Sequence, residues 1–320
     1  MHLVPRETQL NFLGRRRLAF LFSVILMAIA IGSLAVRGLN LGIDFTGGTL
    51  VEVGYSQPVT VADVRSDLTE AGFDRAVVQT FGAPTDILVR VPSVGAENDS
   101  AEVSTGVLQA LRSGAPEGVD VAMRRVEFVG PQVGQELAVK GMQALAFALI
   151  GILIYVSLRF ELRFAVGSVA ALVHDVLLVV GVFSLTQMEF DLPVIAAILA
   201  VIGYSLNDTI VVFDRIRENL RKMRKEDTAT VMNTSVNEML GRTMVTSGTT
   251  LLVLLSLFFL GGAVIHGFSA ALITGVLVGT YSSIFVGAPI ALVLGVSRTD
   301  LMSRKETEGE GPKPGEAHAP

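Results

Sequence analysis

The stretch VIGYSLNDTIVVFDRIREN, Val201–Asn219, joins an apolar segment to an abruptly charged one. The segment Leu192–Phe213 is otherwise small and apolar, and it exceeds the roughly 20 helical residues that cross a bilayer. Asn207 and Asp208 nevertheless lie inside it. Ionisable groups within a membrane are unfavourable and often mark functional positions. The stretch therefore predicts a membrane span that carries a functional polar site.

The composition places the whole chain in the membrane class. Its 320 residues are 51% hydrophobic, and the net charge of −5 gives no reason to expect nucleic-acid binding. There is no cysteine, which excludes disulfides and thiol chemistry. The four histidines are scattered without metal-ligand spacing, and no catalytic motif is visible. We therefore expect no metal, no cofactor and no enzymatic activity.

Hydropathy predicts a polytopic α-helical membrane protein with six transmembrane helices. The predicted spans are residues 18–36, 141–158, 164–186, 192–213, 243–265 and 268–294. The last five form a transmembrane domain over residues 137–298. Residues 1–17 form an N-terminal arm, and the polar residues 299–320 lack the apolar content for a core and are expected to be a disordered tail.

Basic residues near the spans predict the orientation of the chain. Arg15–Arg17 precede the first span, and every later loop that is rich in Lys or Arg falls on the same side of the membrane. Both termini are therefore expected in the cytoplasm, and residues 37–136 outside it. The first span also resembles a signal peptide, but its apolar run is longer than a usual signal core, which favours a retained anchor.

Residues 37–136 have soluble character and alternate between two periodicities. Helical spacing indicates helices over Val59–Gly72 and Ala101–Arg112. Strand-like patterns occupy the remaining segments, which are Gly48–Tyr55, Ala76–Phe81, Asp86–Val91 and Asp120–Val129. The order βαββαβ predicts an extracytoplasmic α+β domain of the ferredoxin-like type between helices 1 and 2.

Three intramembrane positions could carry chemistry. Asp208, next to Asn207, is either a packing acid with one fixed partner or a protonatable group in a proton path. Arg242 lies at the mouth of the fifth span, at the depth of Asp208, and is either an ordinary positive anchor or a charge that controls that acid. His174 and Asp175 lie near mid-bilayer in the third span, where they could relay protons or stabilise helix packing through hydrogen bonds.

Four motifs resemble the SecF family, the smaller membrane subunits of the bacterial SecD–SecF pair that assists Sec-dependent protein export. They are LNLGIDFTGGT (Leu39–Thr49), FVGPQVGQEL (Phe128–Leu137), the Val201–Asn219 stretch and GRTMVTSGTT (Gly241–Thr250). The motifs occur in order around a six-span layout. The resemblance covers the chain from the first span through the sixth.

The resemblance implies membership of the resistance–nodulation–division superfamily, whose members couple proton flow to transport. It implies a protein-translocation subunit of the bacterial inner membrane that uses the proton-motive force, with Asp208 and Arg242 in the proton path. The implied partners are SecD, the channel SecYEG, SecA, YajC, the unfolded polypeptide in transit and membrane lipid.

Two other functions remain open on the residues alone. The chain could be half of a proton-driven exporter of lipids or small molecules, although about a hundred soluble residues leave little room for a substrate tunnel. It could also be a structural subunit that only holds a complex together. A lone carboxylate with Asn and Thr neighbours suits either H⁺ or Na⁺ as the coupling ion.

Overall fold

The computed structural model describes residues 9–92 and 100–297. Its helices are α1 (Arg16–Arg37), α2 (Ile43–Thr46), α3 (Val61–Glu70), α4 (Ser100–Gly114), α5 (Pro131–Arg159), α6 (Leu162–Thr186), α7 (Leu192–Lys222), α8 (Thr228–Leu260), α9 (His266–Ser282) and α10 (Ala288–Val293). A π-helical turn, Ser283–Gly287, joins the last two helices. The strands are β1 (Asn40–Leu41), β2 (Gly48–Tyr55), β3 (Val77–Phe81), β4 (Ala83–Val91), β5 (Val121–Val129) and β6 (Glu189–Phe190). The tail 299–320, predicted to be disordered, lies outside the described residues.

Within the described residues, six helical segments are long and apolar enough to cross a membrane. They are α1, α5, α6, α7, α8 and the continuous segment from α9 to α10. This number agrees with the hydropathy of the sequence, and the prediction of a polytopic helical membrane protein is confirmed.

α5, α7 and α8 extend by two turns or more beyond one end of the predicted spans. α5 begins at Pro131, inside the segment predicted as soluble, because Gly130 is extended and proline at a first helical position loses no hydrogen bond. α7 continues past Phe213 to Lys222. α8 begins well before residue 243, where the side chain of Asp227 accepts a hydrogen bond from the Thr230 amide. Apolar runs report the thickness of the membrane, whereas polar residues can continue a helix beyond it.

The spans form two layers. α6, α7 and the α9–α10 segment occupy the centre, with about half of each span buried, whereas α1, α5 and α8 lie around them and are mostly exposed. The central helices approach closely at glycine: a Cβ atom on Gly275 would lie 2.1 Å from Val201. The Val201 side chain therefore packs directly against the α9 backbone at Gly275, and small residues of this kind let membrane helices associate tightly.

The residues between α1 and α5 form a four-stranded antiparallel sheet with the strand order β3-β4-β2-β5. α3 and α4 cover one face, where Val51, Val53 and Ile87 are fully buried. β4 begins at Ala83, earlier than predicted, because Gly82 adopts φ +82° and closes the hairpin in a tight turn. We call this unit the sheet domain, and the end of the bundle beside it the domain end.

The sheet domain is tied to α7 through the segment that follows α1. β1 pairs in parallel with β6, so that Asn40 and Leu41 lie opposite Glu189 and Phe190. The next residues form α2, in which Asp44 accepts a 3.0 Å hydrogen bond from the amide of Leu192, the first residue of α7. The start of the sheet domain and the N-terminus of α7 are thus one hydrogen-bonded unit.

Arg90 on β4 adds a second connection at the same place. Its guanidinium donates to the carbonyl oxygen of Leu41 and, at 2.8 Å, to Oδ1 of Asn40, and it lies 3.5 Å from the carboxylate of Glu189. One side chain of the sheet therefore contacts both strands of the β1–β6 pair. We call the β1–β6 pair, Asp44 and Arg90 the junction.

Asp191 precedes α7 and caps it. Its Oδ1 accepts a 3.0 Å hydrogen bond from the amide of Val194. Burial, reinforced by the nearby carboxylates of Glu189 and Asp44, raises the pKa of Asp191 to about 6 in spite of that hydrogen bond. The domain end of α7 therefore carries an acid that titrates at mildly acidic pH.

Candidate functional site: two buried carboxylates in the helix bundle

Asp208 lies on the inward face of α7 and is 8% exposed. Two neutral hydroxyl groups hold its carboxylate: Thr243 of α8 donates to Oδ1 at 3.0 Å, and Ser283 of the π-helical turn donates to Oδ2 at 2.7 Å. The acid is therefore enclosed by three spans. Its carboxylate has hydrogen-bond partners on both oxygens, as a buried polar group requires.

Arg242 does not pair directly with Asp208, so any control of that acid acts from a distance. No ion pair between described residues joins the two side chains, and Arg242 lies on the exposed side of α8. The physical reason is helical geometry, because successive residues point about 100° apart and Thr243 occupies the inward position. The charge of Arg242 still attracts the carboxylate from outside the pair of hydroxyls.

Asn207 points away from Asp208. It is exposed on the surface of α7, whereas its neighbour is buried. Because adjacent helical residues cannot face one another, Asn207 belongs to the outer surface of the bundle and not to the enclosed carboxylate site. Of the five predicted site residues, Asn207 and Arg242 are thus the two that are exposed, whereas Asp208, His174 and Asp175 are buried.

His174 and Asp175 form a second buried site on α6, with exposures of 2% and 0%. Nδ1 of His174 lies 2.9 Å from Oδ1 of Asp175, and Oδ2 accepts hydrogen bonds from Ser205 at 2.5 Å and Ser282 at 2.7 Å. The His174 ring also stacks on Tyr281, at 6.1 Å between centroids. Nε2 of His174 is buried and has no hydrogen-bond partner among the described residues.

The hydroxyl partners of the two acids were not identified from the sequence. They are Ser205 of α7, Thr243 of α8 and the consecutive Ser282 and Ser283 of the sixth span. The pair Ser282–Ser283 is a signal that could have found them, because it interrupts an apolar span beside a tyrosine. Serine and threonine are nevertheless common in membrane helices, so this signal is weak.

A line of hydroxyl groups continues from Asp208 toward the domain end. Ser247 of α8 lies 2.7 Å from the Thr280 hydroxyl, and Tyr204 donates to Ser247 at 3.1 Å. Thr246, Thr249 and Thr250 instead donate to carbonyl oxygens of their own helix. The polar line therefore runs along the inner face of α8, between α7 and α9.

The charged residues after Phe213 form ion pairs with the α5–α6 connection. Asp214 contacts Arg159 at 2.9 Å, and Arg217 contacts Glu161 at 3.0 Å while its guanidinium lies 5.4 Å from the ring centre of Phe160. The end of α7 opposite the sheet domain is thereby fixed.

In residues 9–92 and 100–297, no group of three His, Asp or Glu side chains is placed to hold a metal ion.

The chain matches two family models. The model described as "Protein export membrane protein SecD/SecF, C-terminal" matches residues 111–297, and "SecD/SecF GG Motif" matches residues 32–59. The second match contains Asp44 and the β1 strand, which belong to the junction.

Proteins named protein translocase subunit SecF are similar over nearly the whole chain. The one from Vibrio alginolyticus is 48% identical over 97% of each chain, and the one from Magnetococcus marinus is 52% identical over 97% of this chain and 98% of its own. The protein from Pseudomonas aeruginosa is 47% identical over 95% and 98%, respectively.

Two solved structures of SecDF have a similar fold. The crystal structure from Thermus thermophilus, described as a translocon-associated membrane protein, has a TM-score of 0.82 and 38% identity over 91% of this chain. The structure of SecDF in a super-membrane-facing form has a TM-score of 0.67 and 36% identity over 97% of this chain. The present chain spans only 39% and 41% of those longer chains. From the full-length relatives and the family models together, the chain belongs to the SecD/SecF family of protein export membrane proteins.

Proposed function

We propose that this protein-export subunit couples the proton-motive force to the movement of polypeptides, with Asp208 as the group that gains and loses the proton. The observation that carries the proposal is that neutral hydroxyls, and no ion pair, hold the buried carboxylate. A direct arginine partner would fix Asp208 in its ionised form. A hydroxyl can donate to a carboxylate or accept from a carboxylic acid, so Thr243 and Ser283 suit both states.

Arg242 supplies the positive charge that makes the ionised and the protonated states of Asp208 differ in free energy. It stays protonated at any working pH, and it lies one residue from Thr243 on the exposed side of α8. A small rotation of α8 would bring the guanidinium toward Asp208 or move it away. We infer that a further acid in the path comes from SecD, which would meet this exposed side of the helix.

Movement of α7 offers a route from the proton to the sheet domain. Asp208 and Leu192 lie 16 residues apart on one helix, roughly 24 Å. Leu192 is bonded to Asp44, at the start of the sheet domain. A cavity of about 740 Å³ lies beside the junction, between the sheet and the bundle, and leaves space for the domain to tilt. One proton that crosses 100 mV releases about 2.3 kcal/mol, enough to shift a balanced two-state equilibrium more than tenfold.

The setting of the protein follows from the family and the charge pattern. We infer an inner-membrane location with cytoplasmic termini, which the basic residues near the spans support, and a ferredoxin-like class for the sheet domain, which the βαββαβ order and the strand order β3-β4-β2-β5 support. Beyond SecD, we infer that the channel SecYEG, SecA, YajC and the unfolded polypeptide are partners.

Replacement of Asp208 tests the proposal. Asp208→Asn keeps the size and the acceptor oxygen of the side chain but cannot ionise, so we expect insertion and assembly at wild-type levels and loss of export that depends on the proton-motive force. Asp214→Asn is the matched control, since it removes an acid from the same helix in a half-exposed ion pair and should change export little. Export in membrane vesicles with and without an uncoupler is the measurement. Normal proton-dependent export by Asp208→Asn would refute the assignment of Asp208. Export that depends on a sodium gradient instead of pH would identify Na⁺ as the coupling ion.

A further inference from the structure

The two buried carboxylates share one structural element. Ser282 donates to Asp175 of α6, and Ser283, the next residue, donates to Asp208 of α7. At these serines the sixth span leaves α-helical geometry and makes the π-helical turn Ser283–Gly287. Single π-helical turns inside α-helices occur frequently at functional sites, where they change the register of the following residues.

Each serine hydroxyl has a second acceptor within its own helix. The Ser282 hydroxyl lies 3.2 Å from the carbonyl oxygen of Gly279, and that of Ser283 lies 3.1 Å from the carbonyl oxygen of Thr280. A hydroxyl has only one proton to donate. It serves an ionised carboxylate, and it can turn to the carbonyl once the carboxylate has taken up a proton. Both serines are therefore built to respond to the ionisation of the acid that they contact.

The π-helical turn is also held rigidly against α6. A Cβ atom on Gly167 would lie 2.8 Å from the carbonyl oxygen of Gly287, at the far end of the turn. α6 thus contacts the turn at both ends, through Asp175 at one and Gly167 at the other. A change in the hydrogen bond of Ser282 would be passed to Ser283 because the two residues are consecutive and the turn that follows is packed against α6.

We propose that Ser282 and Ser283 are positioning residues that couple Asp175 to Asp208, so that the two carboxylates bind protons as one site. The inference rests on the proposed role of Asp208 and adds Asp175 as its second member. The charged or titratable groups that face the pair are His174 on Asp175, Tyr281 stacked on His174, and the charge of Arg242 outside Asp208. Two like charges in an apolar bundle oppose each other, so ionisation of one acid makes ionisation of the other less favourable.

The test measures protonation directly and does not use export. Membrane vesicles that contain the full chain with its partners are treated with dicyclohexylcarbodiimide, which modifies protonated carboxyl groups in apolar surroundings, over a range of pH. Mass spectrometry then gives the pH midpoint of modification at Asp208. Ser283→Ala removes a donor from ionised Asp208, so its midpoint should rise by about one pH unit.

Ser282→Ala is the decisive variant because Ser282 contacts Asp175 and not Asp208. Without this donor Asp175 holds its proton more readily and loses its charge, so the midpoint of Asp208 should fall by about half a unit. Ser282→Thr keeps a hydroxyl and should restore the wild-type midpoint. Ser269→Ala is the matched control, because Ser269 is buried in the same span and contacts neither acid.

An Asp208 midpoint in Ser282→Ala equal to that of Ser269→Ala would overturn the coupling, as would a shift that Ser282→Thr does not reverse. Neither result would bear on the proposed function, which is refuted only if the Asp208→Asn variant supports normal proton-dependent export. The two ideas are thus decided by separate measurements.

Discussion

The carboxylate of Asp44 accepts a 3.0 Å hydrogen bond from the backbone amide of Leu192. This bond links the start of the sheet domain to the first residue of the helix that carries Asp208. It also satisfies one of the amides that every helix leaves unpaired at its N-terminus. Asp44 therefore positions the start of the sheet domain against α7.

Asp44→Ala should lower both stability and export. The loss of a capping acceptor destabilises a helix by roughly 0.5–2 kcal/mol, and the junction would lose its contact with α7. Asp44→Asn keeps an acceptor oxygen and should behave almost like the wild type. Thermal unfolding in detergent and export in vesicles provide the readouts. Equal behaviour of the alanine and asparagine variants would show that the bond does not matter.

Asp191 should make the protein less stable as the pH rises from about 4 to about 6. Its pKa in the folded protein, about 6, lies above its ordinary value, because burial disfavours the ionised form. The folded state therefore binds the proton more tightly than the unfolded state, and this contribution to stability is present below pH 4 and lost by pH 6.

Asp191→Asn should abolish that dependence while keeping the cap on Val194. At pH 7 the variant should be more stable by about 1 kcal/mol after solvent screening is allowed for. Thermal unfolding at pH 5 and pH 7 measures the difference. Wild-type and variant curves that stay parallel across this range would contradict the prediction.

Gly167→Ala should destabilise the bundle. The added Cβ atom would lie 2.8 Å from the Gly287 carbonyl oxygen, and backbone cannot move aside as a side chain can. Overpacking of this kind typically lowers the free energy of unfolding by about 1–3 kcal/mol. Gly203→Ala on α7 is the control, because an added Cβ there meets no atom within 4 Å. Similar melting temperatures for the two variants would argue against tight packing at the π-helical turn.

Arg90→Ala should loosen the sheet domain from the bundle. The variant loses the contacts to Leu41, Asn40 and Glu189, so the amides of the β1–β6 pair should exchange faster in hydrogen–deuterium exchange, without a change inside the sheet. Arg124→Ala removes an exposed ion pair to Asp86 within the same sheet and should leave that exchange unchanged. Equal exchange in both variants would mean that Arg90 does not hold the junction.

The sequence alone was sufficient to predict the six spans and the order of elements in the sheet domain, but not the contacts between the helices. Apolar length predicts six spans because membrane thickness is fixed, and periodicity predicts the order of strands and helices in the sheet domain. The roles of Arg242 and Thr243 depend instead on the rotation of α8 about its axis, which one helix alone does not determine. Likewise, Ser282 and Ser283 point in different directions because they are consecutive helical residues, but which acid each one meets depends on the packing of the sixth span, for which hydrophobic patterning carries no signal.

The hydrogen bond between Ser283 and Asp208 spans 75 residues of sequence, and this separation has a consequence for biosynthesis. A ribosome delivers the fourth span to the membrane well before it has made the sixth. Until then Asp208 has only Thr243 as a hydroxyl partner, and an acid inside a span disfavours insertion by roughly 2.5–3.5 kcal/mol. A nascent chain that stops after α8 should therefore hold its fourth span poorly in the bilayer. Assembly of this protein is completed from its C-terminal end.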